Sequence, residues 1–225
     1  MTSTEGRPLR RDAQLNRDRI IRAATQVFAR RGIAGTFHDV SDQAGVGLGT
    51  VYRRFATKEQ LVEAVYEQRL AEFAAMAEAA MEAPTGWEGL TDVLRAAAYM
   101  YASDRGLRDV ALRRGARPPL FETFGSRLEP LLHRLVERAR SEGTLRADIT
   151  TEDLPILLMM ISEVAHHGHP VRPGIHSRYL QLILDGLRNP SAGGNLGEPL
   201  SRQELDGIAQ RWLPRLDPRE ESHPA

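Results

Sequence analysis

Apolar side chains recur every three or four positions through most of this chain, a spacing that gathers them on one face of an α-helix. In residues 16–31, for example, Ile20, Val27 and Phe28 share a face with two alanines, and Gly32 follows as a stop signal. No segment alternates polar and β-branched residues over enough positions to suggest a sheet. The pattern therefore predicts an all-α protein.

Start and stop signals also divide the chain into separate helices. A helix at 16–31 is followed by one that begins after Thr36 and ends at Gly45, and by a third at 48–55. Longer helices are predicted at 58–82, 87–102, 104–114, 120–142, 150 or 151 to 167, and 175–187, with 201–213 as a candidate short helix.

Residues 44–55 meet the requirements of a tight turn between two helices. Ala44 is small enough for the two helices to cross closely, Gly45 can adopt positive φ, and the apolar side chain of Val46 fills the inside of the turn. In the following helix Val51 and Phe55 are four positions apart and face the core, which leaves the opposite side able to enter the major groove of DNA. The segment thus predicts a helix-turn-helix. The residues on the early turns of its last helix are Leu48, Gly49, Thr50 and Arg53, with Tyr52 beside them.

A family resemblance lies in residues 45–61, Gly-Val-Gly-Leu-Gly-Thr-Val-Tyr-Arg-Arg-Phe-Ala-Thr-Lys-Glu-Gln-Leu. They resemble the signature of TetR-type (TetR/AcrR) transcriptional regulators, Gly-Val-x-x-Gly-Thr-aromatic or aliphatic-Tyr-x-x-Phe-x-x-Lys-Glu-x-Leu. One position departs, because the family often has a capping serine where this chain has Gly47, which offers no hydroxyl to a phosphate. The resemblance implies that the DNA-binding residues are Thr36, Gly47, Leu48, Gly49, Thr50, Tyr52, Arg53 and Lys58.

Two of these residues admit a second interpretation. Thr36 stands three residues before Asp39 in a variant of the capping box, so it is either a helix cap alone or a cap that also contacts a phosphate. Lys58, the single lysine in the chain, follows the capping residue Thr57 in the first turn of a long helix. A phosphate there would meet both a helix N-terminus and an ammonium, which favours a phosphate contact over a solvated surface charge.

The charge of the chain is segregated although its total is zero, with 30 basic and 30 acidic side chains. Residues 1–60 hold eleven basic and six acidic groups, which gives +5, so the remainder carries −5. A neutral total argues against a nonspecific nucleic-acid coat protein. A basic head on an acidic body is instead the asymmetry expected when one end meets phosphate.

The predicted regions are a disordered arm at 1–15, the DNA-binding domain at 16–60, a helical effector-binding and dimerisation domain at 61–190, and a tail at 191–225. The arm either reaches a minor groove through Arg7, Arg10 and Arg11 or is a solvated tail. Its polar start is not a secretory signal, and no apolar stretch is long enough to cross a bilayer, so we predict a soluble, cytoplasmic protein without a membrane partner. The absence of cysteine excludes disulfides and thiol redox sensing.

The helix predicted to end at residue 167 is apolar almost all round, which is more than one face of a surface helix requires. The resemblance implies that this helix and the next pair with their copies across a two-fold axis, as a homodimer that addresses two half-sites of operator DNA. The alternative is that the helix is simply central within one subunit. The candidate interface residues are Leu158, Ile161, Tyr179 and Ile183.

The resemblance further implies that the helices between residues 87 and 142 enclose a pocket for an unidentified small-molecule effector. Methionine and aromatic residues at helical spacing are core residues more often than pocket residues, so the candidates are no more than a starting set. They are Tyr99, Met100, Leu112, Phe121, Phe124 and Met159, with Arg95, Arg113 or His133 as the polar group that orients the ligand.

One cluster raises a different function. Glu163 and His166 share a helical face near His167 and His169, as in carboxylate-bridged di-metal bundles, but those need two such pairs and two further glutamates. No metal and no cofactor is therefore predicted, and the histidines favour the helix C-terminal dipole. Since no catalytic motif supports an enzyme, the favoured function is a repressor released from its operator by an effector. A helical metal enzyme and a structural DNA-binding dimer are the alternatives.

Overall fold

The structure is a computed structural model that describes residues 6–111, 118–188 and 196–212. The all-α prediction is confirmed: these residues form ten α-helices, and the β-pairing among them is one isolated bridge between Leu145 and Arg188. The helices are α1 (Gly6–Arg31), α2 (Phe37–Ala44), α3 (Leu48–Arg54), α4 (Lys58–Ala79), α5 (Gly86–Ser103), α6 (Arg105–Ala111), α7 (Pro119–Ser141), α8 (Asp153–Gly168), α9 (Ile175–Leu187) and α10 (Arg202–Trp212).

The head consists of α1, α2 and α3, which pack around a small apolar core. Ile20 and Phe28 of α1, Val40 of α2 and Val51 of α3 are fully buried there. Between α2 and α3, Gly45 adopts a left-handed conformation with φ of 61°, as the turn requires. The predicted bounds of the short helices α2 and α3 are close to those observed, because local capping and turn residues determine them.

The body is formed by α4 to α9, with α5 packed against α7, α8 and α9. Its core is continuous with that of the head and includes Leu90, Leu107, Leu135 and Leu154, each at most 1% exposed. In the described part of the chain, none of the helices combines the length and apolar composition needed to cross a bilayer.

Head and body meet where α6 packs against α1 and the 3-10 turn Gly32–Ala34. A Cβ at Gly106 would lie 2.5 Å from Tyr66 Oη and 2.8 Å from Phe28 Cβ, so this close approach requires glycine. The Tyr66 hydroxyl donates to Asp104 Oδ1 at 2.9 Å, and Arg69 Nη1 donates to Asp104 Oδ2 at 2.7 Å. Burial, reinforced by Asp104, raises the pKa of Tyr66 and keeps the hydroxyl protonated.

Two helix starts differ from the prediction. The first helix begins at Gly6 rather than at residue 16, so it extends into the segment expected to be a disordered arm. The eighth begins at Asp153, because residues 150–152 form a turn in which Thr150 N donates to Asp153 Oδ2 at 2.8 Å. The candidate helix at 201–213 corresponds to α10.

Candidate nucleic-acid interface and internal cavity

The outer face of α3 is exposed, while its inner face is anchored in the head. Val51 is fully buried, whereas Leu48 is 39% and Tyr52 is 53% exposed. The Tyr52 ring is fixed by an edge-to-face contact with Phe37 of α2, at 4.9 Å between centroids. A helix that is anchored on one side and exposed on the other can enter the major groove of DNA.

The polar groups of α3 lie on the same outer side. Arg53 Nη2 donates to Thr50 Oγ1 at 3.1 Å, which brings the two side chains together. Gly47 is the N-cap of α3 without a side-chain hydrogen bond, and Thr50 N donates to its carbonyl oxygen at 2.8 Å. Apart from the adjoining residues of the same segment, no atom of the described residues lies within 4 Å of a Cβ built on Gly47 or Gly49, so both positions are open surface.

Thr36 is the N-cap of α2, and its hydroxyl is part of a complete capping box. Asp39 N donates to Thr36 Oγ1 at 3.2 Å, and Thr36 N donates to Asp39 Oδ2 at 2.9 Å. The backbone hydrogen bond from Thr36, helped by the nearby Arg31, lowers the pKa of Asp39. The capping role of Thr36 is thus present in the structure, and a phosphate contact stays a prediction.

The N-terminus of α4 lies directly after α3 in the chain and is capped in a similar way. Gln60 N donates to Thr57 Oγ1 at 3.3 Å, and the Gln60 side chain accepts from Ala56 N at 3.0 Å. Lys58 is the first residue of this helix and is half-buried.

Sequence reasoning missed Arg19, an exposed residue of α1. Its Nη2 lies 3.0 Å from a Cβ built on Gly45, so Arg19 adds positive charge beside the turn between α2 and α3.

The body contains a cavity with a volume of about 380 Å³. Its walls come from α4, α5, α7, α8 and α10, from the end of α6 and from the turn before α8, and they include two of the expected pocket residues, Phe121 and Phe124. The other apolar residues in the walls are Phe73, Val93, Leu94, Ala97, Tyr101, Ala111, Leu128, Leu132, Leu154, Pro155 and Leu158.

Three other pocket candidates do not line this cavity. Tyr99 is 70% exposed, because it lies about 200° around α5 from the cavity-lining Tyr101. Met100 and Met159 are buried in the core but do not line the cavity. Leu112 lies outside the described residues. The pairing of Leu154 with Leu158, four positions apart on α8, was the sequence signal that could have identified the cavity-facing side.

The expected polar groups are not in the cavity either. Arg95 is exposed and donates to Gln181 at 3.3 Å, while His133 is exposed with Nδ1 3.5 Å from Thr151 Oγ1. Neither Arg95 nor His133 lines the cavity, and Arg113 falls outside the described residues.

Sequence reasoning missed the contribution of α10, which carries Arg202 and Asp206 into the cavity wall. Leu205 of the same helix is fully buried, and Arg202 forms a two-pronged ion pair with both carboxylate oxygens of Glu129 on α7. The hydrogen bond to Glu129 raises the pKa of the Arg202 guanidinium. A tail helix therefore completes the site, although nothing in its local pattern pointed to the cavity.

The four residues expected at the dimer face differ in their exposure within a single subunit. Leu158 and Ile161 are 9% and 1% exposed within a single subunit, because they lie on the side of α8 that packs into the subunit's own core. Tyr179 is 43% exposed and Ile183 is half-buried on α9. Further exposed apolar side chains on α8 and α9 are Met160, at 46%, and Leu182, at 66%.

A buried chain of charged groups links the body to the head. Arg108 Nη1 donates to Glu163 Oε1 of α8 at 3.1 Å, and Arg108 Nη2 donates to Asp109 Oδ1 at 2.9 Å. Asp109 Oδ2 in turn accepts from Ile33 N, in the 3-10 turn after α1, at 3.4 Å. Arg108 and Asp109 are only 4% and 3% exposed, so this path runs through the interior.

Glu163 is therefore held by Arg108, and its other oxygen lies 3.3 Å from His167 Nε2. Burial, with neighbouring arginines, lowers the pKa of His166. Within the described ranges, no group of three or more histidine or carboxylate side chains is arranged to hold a metal ion.

Comparison with known proteins links both parts of the chain to regulatory families. Residues 20–65 match the family described as bacterial regulatory proteins, tetR family. Residues 83–189 match the family described as transcriptional regulator SbtR-like, C-terminal domain. Together the two matches span more than half of the 225 residues.

Individual relatives agree with these matches. The chain is 44% identical over 50 residues to the HTH-type transcriptional repressor KstR2 of Mycolicibacterium smegmatis, which is 22% of this chain and 24% of that protein. It is 26% identical over 194 residues to KstR2 of Rhodococcus jostii, which is 77% of this chain and 92% of the relative. The TetR transcriptional regulator SCO0520 from Streptomyces coelicolor superposes with a TM-score of 0.51 at 29% identity, over 78% of this chain and 99% of the other.

Proposed function

Because this chain belongs to the TetR family of bacterial regulatory proteins, which are DNA-binding transcriptional regulators and not enzymes, we propose that it is a homodimeric repressor released from its operator by a small molecule. The observation that carries the proposal is the exposed outer face of α3, fixed to the head by the fully buried Val51. The cavity in the body supplies a place for the effector.

The proposed contacts to DNA follow the outer surface of the head. Thr50, Tyr52 and Arg53 are directed toward base edges and nearby phosphates, with Leu48 against a thymine methyl group and Gly49 allowing close approach. Thr36, Gly47 and Lys58 lie at the N-termini of α2, α3 and α4, where backbone N–H groups attract phosphate oxygens.

The proposed dimer uses the exposed side of α8 and α9. Tyr179, Leu182 and Met160 are apolar or aromatic and are 43% to 66% exposed in the single chain, with Ile183 half-buried between them and the core. A second copy would remove this surface from water and would present two α3 helices to successive half-sites.

Two helices connect the cavity to the head and support a mechanical route for release. On α4, Phe73 lines the cavity and Lys58 lies at the DNA-proximal end, about 22 Å away at 1.5 Å per residue. On α6, Ala111 lines the cavity, while Asp109 accepts a hydrogen bond from Ile33 of the head. A ligand that displaces Phe73 or Ala111 would therefore shift the head and change the separation of the two α3 helices.

Release requires the effector to favour the non-binding state by about 1 to 3 kcal/mol, and operator DNA must then weaken effector binding by the same factor. The test is selection of bound sequences from random DNA, followed by a mobility shift of the selected site with and without small-molecule extracts. We expect a two-fold symmetric site and loss of the shifted band with an active fraction. Binding without sequence preference would contradict the proposal.

A further inference from the structure

Two arginines of α1 lie beside opposite ends of α3. The Arg17 guanidinium carbon is 5.7 Å from the centre of the Phe55 ring, and Phe55 directly follows the last residue of α3. Arg19 Nη2 is 3.0 Å from a Cβ built on Gly45, in the turn that precedes α3. The two guanidinium groups therefore flank the helix that is proposed to enter the major groove.

These two side chains differ from Arg30, on the same helix, in what they contact. Arg30 donates to the Gln26 carbonyl oxygen at 3.2 Å and to Gln43 Oε1 at 2.9 Å. Neither Arg17 nor Arg19 forms a hydrogen bond or an ion pair with a described residue. A guanidinium presents five N–H donors in a planar fork that matches the oxygens of a phosphate. Arg17 and Arg19 can therefore bind phosphate without breaking a hydrogen bond to the described part of the chain.

The charge of α1 has the sign that a phosphate contact requires. The helix carries eight arginines and two aspartates, Asp12 and Asp18, which gives a formal charge of +6. Asp18 stands between Arg17 and Arg19 in the sequence, and its Oδ1 accepts from Gln14 Nε2 at 2.8 Å. The excess of positive charge is a property of the sequence itself, and it attracts the backbone of DNA.

The dimensions of the major groove bring such side chains close to phosphates. A helix with its side chains and the groove are both about 12 Å wide, so groups beside an inserted helix come near the strands that border the groove. From this position and charge, and resting on the proposed DNA-binding role of α3, we infer that Arg17 and Arg19 bind phosphates of operator DNA on either side of α3. Contacts of this kind fix the orientation of a helix in the groove and carry no base preference.

The test measures DNA affinity by fluorescence anisotropy over a salt series, with the full-length protein and with Arg17→Gln and Arg19→Gln. The probes are the duplex selected from random DNA and a scrambled duplex of the same composition. We expect each variant to weaken binding to both duplexes alike, by about threefold to tenfold. The slope of log K against log salt is expected to fall by about one for each bound head, because one phosphate contact is lost there.

Charge-preserving variants separate a phosphate contact from a structural role. Arg17→Lys and Arg19→Lys are expected to restore the salt slope and part of the affinity, because lysine keeps the charge but lacks the fork of donors. Thermal unfolding, followed by circular dichroism, measures the stability of each variant. A lower melting temperature together with a wild-type salt slope would show that the side chain supports only the packing of the head, and would overturn the inference for that residue.

The matched control is Arg30→Gln, which removes the same charge from the same helix about 16 Å farther along its axis. It is expected to leave the salt slope unchanged. An equal loss of slope in Arg30→Gln, or weaker binding of the selected duplex alone, would overturn the inference. If the wild-type protein prefers the selected duplex but Arg17→Gln and Arg19→Gln keep its slope, the phosphate contacts fail and the proposed function stands. A wild-type protein without sequence preference would instead contradict the proposed function.

Discussion

The outer face of α3 and the cavity of the body are built in opposite ways. Thr50, Tyr52 and Arg53 lie within one seven-residue helix, so helix geometry alone sets their relative positions. The cavity takes its walls from helices that run from Phe73 on α4 to Asp206 on α10. A surface made by one helix can be recognised from a short motif, whereas a cavity made by several helices depends on how they pack.

The two regions also differ in how a substitution is expected to act. A change on the outer face of α3 alters contacts with a partner and leaves the fold intact. A substitution in the body alters the packing of the helices, and any change in ligand binding follows from that altered packing. The path from Glu163 through Arg108 and Asp109 to Ile33 belongs to neither region, but it joins the body to the head.

Breaking that path is expected to give the largest effect. Asp109→Ala leaves Arg108, a residue that is 4% exposed, with one of its two carboxylate partners missing. We expect the free energy of unfolding to fall by about 3 to 5 kcal/mol, the usual cost of removing one partner of a buried ion pair. Denaturant unfolding measures this. Asp92→Asn, at an exposed position of α5, is the control, and equal stability of the two variants would contradict the role of the path.

The second prediction compares a substitution on the surface of the body with one in its core. Leu182→Glu, at a side chain that is 66% exposed on α9, is expected to give a folded monomer, because a carboxylate buried in the proposed interface costs several kcal/mol. Leu158→Glu, in the cavity wall, is instead expected to lower the melting temperature. Light scattering and circular dichroism distinguish these outcomes. Leu196→Glu, at another exposed leucine, is expected to stay dimeric, and a wild-type monomer at micromolar concentration would end the dimer proposal.

The third prediction concerns DNA affinity. Lys58→Ala is expected to weaken binding to all sequences alike and to reduce the slope of log K against log salt by about one. Arg53→Ala is expected to relax the preference at one base pair, at a cost of about 1 to 3 kcal/mol, if its guanidinium contacts a guanine. Tyr52→Phe and Thr50→Ala are expected to weaken binding without unfolding the head. Fluorescence anisotropy over a salt series tests all four, and wild-type affinity throughout would remove α3 from the interface.

The smallest effect is expected at the cap of α2. The pKa of Asp39 lies below its ordinary value of 3.8 in the folded chain, so the stabilisation is complete above that value and is lost as pH falls through the lowered pKa. Asp39→Asn is therefore expected to destabilise by about 0.5 to 1.5 kcal/mol at pH 7, with the difference from wild type shrinking toward pH 3. Asp42→Asn, exposed on the same helix, is the control. A difference that does not depend on pH would show that the charge of Asp39 is not the cause.

The sequence by itself determined the features that depend on neighbours in the chain. The fold class and the bounds of α2, α3 and α9 follow from apolar periodicity, from the cap at Thr36 and from the positive φ of Gly45. The exposed face of α3 follows in the same way, because helix geometry separates Val51 from Tyr52.

Only the tertiary structure decided which apolar residues face the cavity, which face the subunit core and which face the surface. Residues 99 and 101 are both tyrosines on α5, yet the packing of this helix exposes Tyr99 and places Tyr101 in the cavity wall. Leu158 and Ile161 were expected at a partner surface, but neighbouring helices bury them within the subunit. The pairing of Arg202 with Glu129 joins positions 73 residues apart, and no local pattern encodes such a contact, because it depends on the arrangement of all the helices between them.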